Sequence, residues 1–416
     1  MSKYQSVRGT RDLLPELKEV FRYIEQSAFS LAKNYGFKEI ETPLVEFSEV
    51  FHRSLGETSD AVSKETYTFL DRGGDSLTLR PEGTAGVVRA YVSEGLMQHN
   101  PNKFYYYGPM FRYERPQKGR YRQFYQIGVE VLGLDSPHAD VECLDLAFQF
   151  LKKIGLSKSC VLEINTLGDM ETREKYRSAL VNFLEPFKEQ LSEDSKKRFE
   201  KNPMRILDSK DEGDRRIIAN APRMQDYLSP EAEGFFKTVI NGLEQLKIPY
   251  KINPKLVRGL DYYCHTVFEF VTTELGAQGA LLAGGRYDGL SETLGGPKTP
   301  GIGWASGVDR LAELVLTKRL FPNIEVQKIG FITHGESALS EAVRLASFLR
   351  QQDLNCEVFM TGNFKKKLEK ANKAQIQKAV LIFEQDDKSL EFKIKNFKTG
   401  IETLTTESEL FNQIKD

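Results

Sequence analysis

The sequence predicts an α+β protein: an antiparallel sheet flanked by helices, a helical insertion within that unit, and a C-terminal α/β domain. Three observations predict it. Residues 103–114 and 122–132 read as a strand pair on either side of a short basic loop, and from Gln126 to Val131 apolar side chains alternate with the others as strand residues do. Between residues 167 and 253 strand patterning nearly vanishes and mixed charge on helix formers takes over, as in Thr172-Arg-Glu-Lys-Tyr-Arg. From Lys328 onward, apolar runs and amphipathic stretches alternate as β-α-β-α-β, the order of a small open α/β domain.

A chain of 416 residues holds two to three domains at roughly 150 residues each. The segment Leu320-Phe-Pro-Asn-Ile-Glu-Val reads as a linker, which divides the chain into residues 1–325, containing the insertion at 168–253, and residues 327–416. With 40% hydrophobic and 28% charged residues, the composition is that of an ordinary globular protein able to bury its own cores. A net charge of -1 excludes a uniformly basic nucleic-acid coat but leaves room for a local basic patch. The four cysteines, Cys143, Cys160, Cys264 and Cys356, form no C-x-x-C pair, so neither a disulfide framework nor a zinc ribbon is expected. The opening residues carry no apolar leader core and no long apolar run follows, so the expectation is a cytoplasmic protein without a membrane partner.

Each element has its own signal. Phe21, Ile24, Ala28, Leu31 and Tyr35 recur at three- and four-residue spacing, predicting a helix over 20–35 that stops at Gly36. Residues 37–46 read as extended, bent at Pro43. A capped helix spans 136–154, ending before Gly155. After the insertion, strands return with Leu256-Val-Arg-Gly-Leu-Asp-Tyr-Tyr and Thr266-Val-Phe-Glu-Phe-Val, then a glycine-rich stretch over 276–307 and a helix from near Ser306. The C-terminal domain adds a helix over 339–349 and a lysine-rich helix carrying Lys365, Lys366, Lys367, Lys370 and Lys373.

Several standard sites are absent: no P-loop, no H-E-x-x-H zinc signature, no G-x-S-x-G nucleophile elbow, and five widely spaced histidines. Gly301-Ile-Gly-Trp-Ala-Ser-Gly307 is a poor dinucleotide fingerprint, with one residue too many before its third glycine. The informative constellation is the strand pair. Ile127, Val129 and Val131 make one apolar face; Gln126, Gly128 and Glu130 make the other, with the glycine leaving room for a ligand to approach the backbone. The adjoining loop sets Arg112, Arg115, Lys118, Arg120 and Arg122 against Glu114 alone. Guanidinium forks suit phosphate, and Phe124 is placed to stack on a base. A solvated turn is the bland alternative. Glu82 and Thr84, on a glycine-flanked turn, suit an ammonium group, though Thr84 also suits a helix cap. Arg310 stands in the first turn of a helix, where anions are attracted. Arg258-Gly-Leu-Asp-Tyr-Tyr places Asp261 and Tyr263 on one strand face, and Arg286-Tyr287 follows two glycines.

Together these residues resemble a known family. Phe111-Arg112-Tyr-Glu114 through Arg120-Tyr-Arg-Gln-Phe124 is similar to motif 2 of the class II aminoacyl-tRNA synthetases, and Gly301-Ile-Gly through Arg310 to motif 3. The stretch around Pro43 resembles the weaker motif 1 of the dimer interface. Arg258-Gly-Leu-Asp-Tyr-Tyr263 and Gly284-Gly-Arg-Tyr287-Asp-Gly resemble the two motifs particular to histidyl-tRNA synthetases, and Arg8-Gly-Thr-Arg-Asp-Leu-Leu-Pro fits as well. The match covers essentially the whole chain.

The resemblance implies that histidine's carboxylate attacks the α-phosphate of ATP, giving histidyl-adenylate and pyrophosphate, and that a terminal ribose hydroxyl of tRNA then takes the acyl group. By motif position, Arg112, Glu114, Arg120, Phe124 and Arg310 would form the ATP site, with Arg112 on the α-phosphate, Arg120 and Arg310 on the outer phosphates and Phe124 on adenine. Arg258 would stabilise the α-phosphate transition state beside Arg112, with Mg2+ on the outer phosphates. Glu82, Thr84 and Gln126 would take the α-amino group, and Glu130, Tyr263 and Tyr287 the imidazole, with Arg258 also at the amino acid. Arg115 and Gln117 would reach the tRNA acceptor end, and the lysine-rich helix would lie on an anticodon-binding domain. A homodimer is also implied. The main rival is the non-catalytic regulatory paralogue of ATP phosphoribosyltransferase, but such paralogues typically lose the Arg258 arginine and the C-terminal domain, and both are present here. The C-terminal Phe383-Glu-Gln-Asp-Asp departs from the family pattern, so no anticodon-reading residue is assigned.

Overall fold

The structure, a computed structural model, describes residues 4–55, 65–99, 101–115, 119–258, 262–274, 279–322 and 328–415. Its contacts divide the chain into Met1–Phe321 and Pro322–Asp416. The expected boundary between 325 and 327 lies outside the described residues.

The first unit is built on an eight-stranded sheet in the order Lys38–Glu39, Asn102–Phe111, Gln123–Leu132, Gly301–Gly307, Ala280–Arg286, Cys264–Val271, Val161–Thr166, Tyr250–Ile252. The six central strands run antiparallel; the two outermost pairings are parallel. One face is dry. Ile127, Val129, Phe268, Phe270, Ile302 and Trp304 lie there under Phe21, Leu144, Phe150, Val239 and Leu311, from helices Pro15–Asn34, Pro137–Lys153, Pro230–Gln245 and Val308–Thr317. Trp304 shows how its indole is accommodated: the ring stacks on Phe150 at 5.9 Å, and Nε1–H donates to the Cys143 carbonyl at 3.1 Å.

Local chemistry sets the helix ends. The first helix starts at Pro15, before the apolar periodicity begins, because proline tolerates the first turn. Gly36, with φ +80°, turns the chain after its end. Ser136 accepts from the His138 amide and starts the helix Pro137–Lys153.

The region 168–253 divides in two. Helices Met170–Leu184, Glu193–Lys201 and Glu212–Ile218 share a cluster with Tyr176, Leu180, Phe199, Ile206 and Met224. Buried Asp214 ties the last two, accepting from the hydroxyls of Ser192, Ser195 and Ser209 and from the Ser192 amide. The remainder belongs to the sheet. Helix Pro230–Gln245 packs into the dry core and strand Tyr250–Ile252 extends the sheet edge, so the insertion does not run to 253 as one body. Helical periodicity reports that a face is buried, but not against which layer.

Other boundaries shift as well. Leu256, Val257 and Arg258 lie in no strand, Asp261 is outside the described residues, and Tyr263 sits just before the strand Cys264–Val271. Ser306 remains in its strand, its hydroxyl donating to the Leu281 carbonyl at 2.6 Å, and the helix begins at Val308. In a three-stranded sheet of Val45–Phe47, Ser76–Leu79 and Tyr67–Leu70, the first strand overlaps the stretch expected to be extended, and the other two were not expected.

The second unit carries a five-stranded mixed sheet in the order Asn355–Val358, Lys328–His334, Lys378–Glu384, Leu390–Asn396, Glu402–Thr405. The first three strands are parallel, connected through helices Glu336–Arg350 and Phe364–Lys373; the last two add antiparallel. In the lysine-rich helix, Lys367 is buried and its Nζ donates to the Thr333 carbonyl and hydroxyl, at 3.0 and 2.9 Å. Lys370 donates likewise to Thr361. Lys365, Lys366 and Lys373 face outward. Among the described residues, no helix is long and apolar enough to cross a membrane.

Candidate active site

The face of the large sheet opposite the dry core carries a pocket, and its floor is made by what the strands leave out. In Gly301–Gly307, the residues alternating with Ile302, Trp304 and Ser306 are Gly301, Gly303, Ala305 and Gly307, so little side chain rises from that strand. Gly303 pairs directly with Glu130, and a Cβ at Gly303 would overlap the Glu130 carboxylate. Gly301 gives the same room to the Tyr287 ring, and Gly285 to Tyr263. Gly128 also makes room, but for a protein side chain rather than a ligand: the Tyr106 phenol fills the space above it, wedged against Gly83 as well.

Glu130 is the buried end of this pocket. Thr84 Oγ1 donates to its Oε1 at 2.7 Å, and the Tyr287 hydroxyl donates to its Oε2. Burial pushes its carboxyl up to about 8; the Tyr287 and Thr84 hydroxyls pull the other way without offsetting it. Glu82 caps the next helix, Thr84–Ser93, accepting from the amides of Thr84 and Ala85 at 2.7 and 2.8 Å. The cap is therefore Glu82 and not Thr84, whose hydroxyl is spent on Glu130. Burial raises the Glu82 carboxyl too, against those amides. Gln126 Oε1 is buried in the pocket wall without a hydrogen-bond partner, so acceptor capacity is left over there.

Tyr287 is placed by its neighbour. Arg286, fully buried, pairs with Asp140 and Asp288 and donates to the Leu134 and Ser136 carbonyls. With five donors so engaged, the turn holding Tyr287 is fixed.

At the other end the pocket is cationic. Arg112 Nε donates to the Pro81 carbonyl at 2.8 Å, and its guanidinium lies 5.4 Å from the Phe124 ring. Arg120 Nη1 meets Glu114 Oε2 at 2.8 Å. Arg310 Nη1 donates to the Ala280 carbonyl at 2.8 Å; burial, then the neighbouring Arg120, lowers its proton affinity. Arg258 forms an ion pair with Glu269. Burial opposes its charge, and Glu269 together with Tyr263 and Tyr262 more than offsets that, holding the guanidinium protonated.

Of the residues singled out in sequence, Glu82, Thr84, Arg112, Glu114, Arg120, Phe124, Gln126, Arg258, Tyr263, Tyr287 and Arg310 line this one pocket, with Glu130 bonded to two of them. Arg115 is exposed outside it, and Gln117 and Lys118 lie outside the described residues. Arg122 turns away to brace the loop, 3.7 Å over Tyr113. Sequence reasoning missed Glu269, Tyr106 and the Arg286–Asp140 pair. An acid between Phe268 and Phe270 in a strand was the available signal for Glu269; nothing local linked Asp140 to Arg286, 146 residues away.

A mainly antiparallel sheet with helices over one face, and on the other an arginine-lined pocket over a glycine strand, defines the catalytic unit of a class II aminoacyl-tRNA synthetase. Comparison with known proteins narrows this. The family model described as histidyl-tRNA synthetase matches residues 9–311. The histidine–tRNA ligase of Rhodospirillum rubrum is 51% identical over 92% of this chain and 91% of its own. That of Wolbachia pipientis from Culex pipiens is 48% identical over 99% of both. The crystal structure of apo Staphylococcus aureus histidyl-tRNA synthetase superposes with a TM-score of 0.84 at 36% identity, covering 99% of this chain and 100% of that one. The chain belongs to the histidyl-tRNA synthetase family.

Proposed function

We propose that the chain is a histidine–tRNA ligase, activating histidine with ATP and passing it to the 3′-terminal adenosine of its tRNA. The observation that carries the reading is the pocket's polarity: a buried carboxyl, Glu130, at one end and Arg112, Arg120 and Arg310 at the other. Its relatives bear the same name over nearly their full length.

Histidine enters with its imidazole toward Glu130. An imidazole donates from one nitrogen and accepts at the other, and Glu130 with the hydroxyls of Tyr263 and Tyr287 can meet both. Side chains lacking that pattern would leave these buried groups unpaired. Gln126 Oε1, which has no partner, and Glu82 receive the α-ammonium, with Thr84 completing that wall. In the first step a histidine carboxylate oxygen attacks the α-phosphorus of ATP and the bond to the bridging oxygen breaks, releasing pyrophosphate. Two anions approach, so the chain's contribution is alignment and positive charge: Arg112 and Arg258 at the α-phosphate, Arg120 and Arg310 at the outer phosphates, Phe124 against adenine. In the second step a ribose hydroxyl of tRNA attacks the acyl carbon, and AMP leaves.

Among the described residues, no group of three His, Cys, Asp or Glu stands ready to hold a metal. Glu114, beside Arg112 and Arg120, suits a magnesium ion that arrives on the outer phosphates, an ion that commonly takes one or two carboxylates and keeps its waters. Bound there it would neutralise phosphate charge.

Exposed Arg115, with Gln117, would meet the tRNA acceptor end. In the second unit, Lys365, Lys366 and Lys373 remain for phosphate contacts, since Lys367 and Lys370 are spent on Thr333 and Thr361. A second copy of the chain would cover Phe47, Phe69 and Leu70, large apolar side chains exposed on the three-stranded sheet. Charging would take place in the cytoplasm, where the four free thiols stay reduced.

The test is exchange of labelled pyrophosphate into ATP with each amino acid in turn. Exchange with histidine alone is expected. No exchange from folded protein would overturn the reading and favour a regulatory paralogue.

A further inference from the structure

Arg11 takes no part in the pocket, yet it joins the two segments that carry the outer arginines. Its Nη2 meets Asp309 Oδ1 at 2.6 Å, and its Nη1 donates to the Tyr121 hydroxyl at 2.9 Å, with the guanidinium 4.0 Å from the Tyr121 ring centroid. Asp309 precedes Arg310 in the chain, and Tyr121 follows Arg120. The second oxygen of Asp309 accepts from the Tyr125 amide at 2.9 Å, anchoring the start of the helix to the strand after the loop.

The segment bearing Arg11 is itself fixed. The Gly9 carbonyl accepts from the Arg122 amide at 2.7 Å, and the Arg8 carbonyl from Arg122 Nη1 at 3.3 Å. On the far side of the loop, Gly119, with φ +72°, lies close enough to Arg310 that a Cβ there would stand 3.4 Å from its Cγ. Arg120 and Arg310 carry like charges, so their spacing depends on what holds their segments: Asp309 anchors the helix start to the Tyr125 amide, and Arg11 adds the link from Asp309 to the Tyr121 side.

We propose that Arg11 is a positioning residue for adenylation: through Asp309 and Tyr121 it holds Arg310 and Arg120 at the spacing that the phosphates of one nucleoside triphosphate require. This rests on reading the pocket's cationic end as the ATP site. Arg11 touches no substrate itself; it acts through the two residues it joins.

The full chain is assayed as wild type, Arg11→Ala and Arg11→Lys. Three quantities are compared: KM for ATP in histidine-dependent pyrophosphate exchange, histidine Kd by calorimetry without ATP, and melting temperature. Arg11→Ala is expected to raise the ATP KM about tenfold while leaving histidine Kd unchanged, because only the phosphate end loses its geometry. Arg11→Lys should recover part of the loss, since an ammonium still reaches Asp309 but cannot fork to Tyr121. If Arg11→Ala does not fold, Tyr121→Phe keeps the ring, deletes the acceptor, and should raise the ATP KM about fivefold. An unchanged ATP KM in folded variants, or a parallel rise in ATP KM and histidine Kd, overturns the proposal. Absence of exchange in the wild type would sink the ATP-site reading itself; exchange in the wild type with an unmoved Arg11→Ala would sink this inference alone.

Discussion

Thr84 Oγ1 donates to Glu130 Oε1 at 2.7 Å, joining the first residue of a helix to a central strand near that strand's C-terminal end. With Tyr287 on the other oxygen, each carboxylate oxygen has one protein donor, and a carboxylate offers about four lone-pair sites. Protonated below about 8, the carboxyl still keeps lone pairs for an imidazole N–H, or can donate its own O–H to the other imidazole nitrogen. Glu130→Gln should therefore weaken histidine binding about ten- to a hundredfold, since the amide accepts at one atom only and turns its NH2 toward a hydroxyl. ATP binding should not change. Calorimetric titration with each ligand separates the two, and equal loss of both would show that Glu130 acts on the fold rather than on the imidazole.

The same carboxyl makes stability depend on pH. Burial raises Glu130 from 4.5 to about 8, so between those values the folded protein holds a proton that the unfolded chain has released. The stability Glu130 contributes is therefore present at low pH and is lost as pH rises to about 8. Glu82, also raised, slopes the same way. Glu130→Gln removes one of these protons, so its stability relative to wild type should improve as pH rises through that window. Urea unfolding of both proteins across it provides the check; a constant difference counts against a buried, protonated Glu130.

The glycine floor gives a steric prediction. A Cβ on Gly303 would overlap the Glu130 carboxylate and the Val129 carbonyl, and backbone cannot move aside cheaply. Gly303→Ala should cost about 1–3 kcal/mol of stability and displace Glu130, raising histidine KM. Gly307→Ala, in the same strand with nothing within 4 Å of its Cβ, is the control and should be close to neutral for stability. Similar losses at both positions would mean that glycine serves the backbone there rather than the pocket.

How much of this was legible in the sequence depended on range. The face Gln126-Gly128-Glu130 could be read because strand alternation is a two-residue rule, and the structure puts Ile127, Val129 and Val131 in the dry core. The purpose of Gly128 could not, because its partner is Tyr106 on the neighbouring strand, and a register is needed to see them meet. Helix Pro230–Gln245 looked like its neighbours in the insertion because amphipathicity does not name the layer it covers. Lys367 looked like its exposed neighbours for the same reason: only the fold shows Thr333 beneath it. Family resemblance supplied the grouping of Glu82, Arg112, Arg258 and Arg310, drawn from segments far apart in the chain, but pointed at Tyr287 rather than at the Arg286 that sets it.

The ion pair of Arg258 with Glu269 means that removing the arginine changes two charges' surroundings at once. If Arg258 stabilises charge on the α-phosphate, Arg258→Ala should slow adenylate formation about a hundred- to a thousandfold. The deletion also leaves Glu269 as an uncompensated carboxylate in the pocket proposed to receive phosphates, and like charges repel strongly where water is scarce. Weakened ATP binding in the single variant therefore mixes a lost attraction with a new repulsion. Arg258→Ala combined with Glu269→Gln removes the repulsion alone. ATP affinity should recover toward wild type in that double variant, while the adenylation rate, followed in a single turnover by quenched flow, stays low. If the rate recovers with the affinity, Arg258 serves to neutralise Glu269 and not the transition state. If neither recovers, Glu269 holds something the nucleotide needs, and the pair acts as one unit.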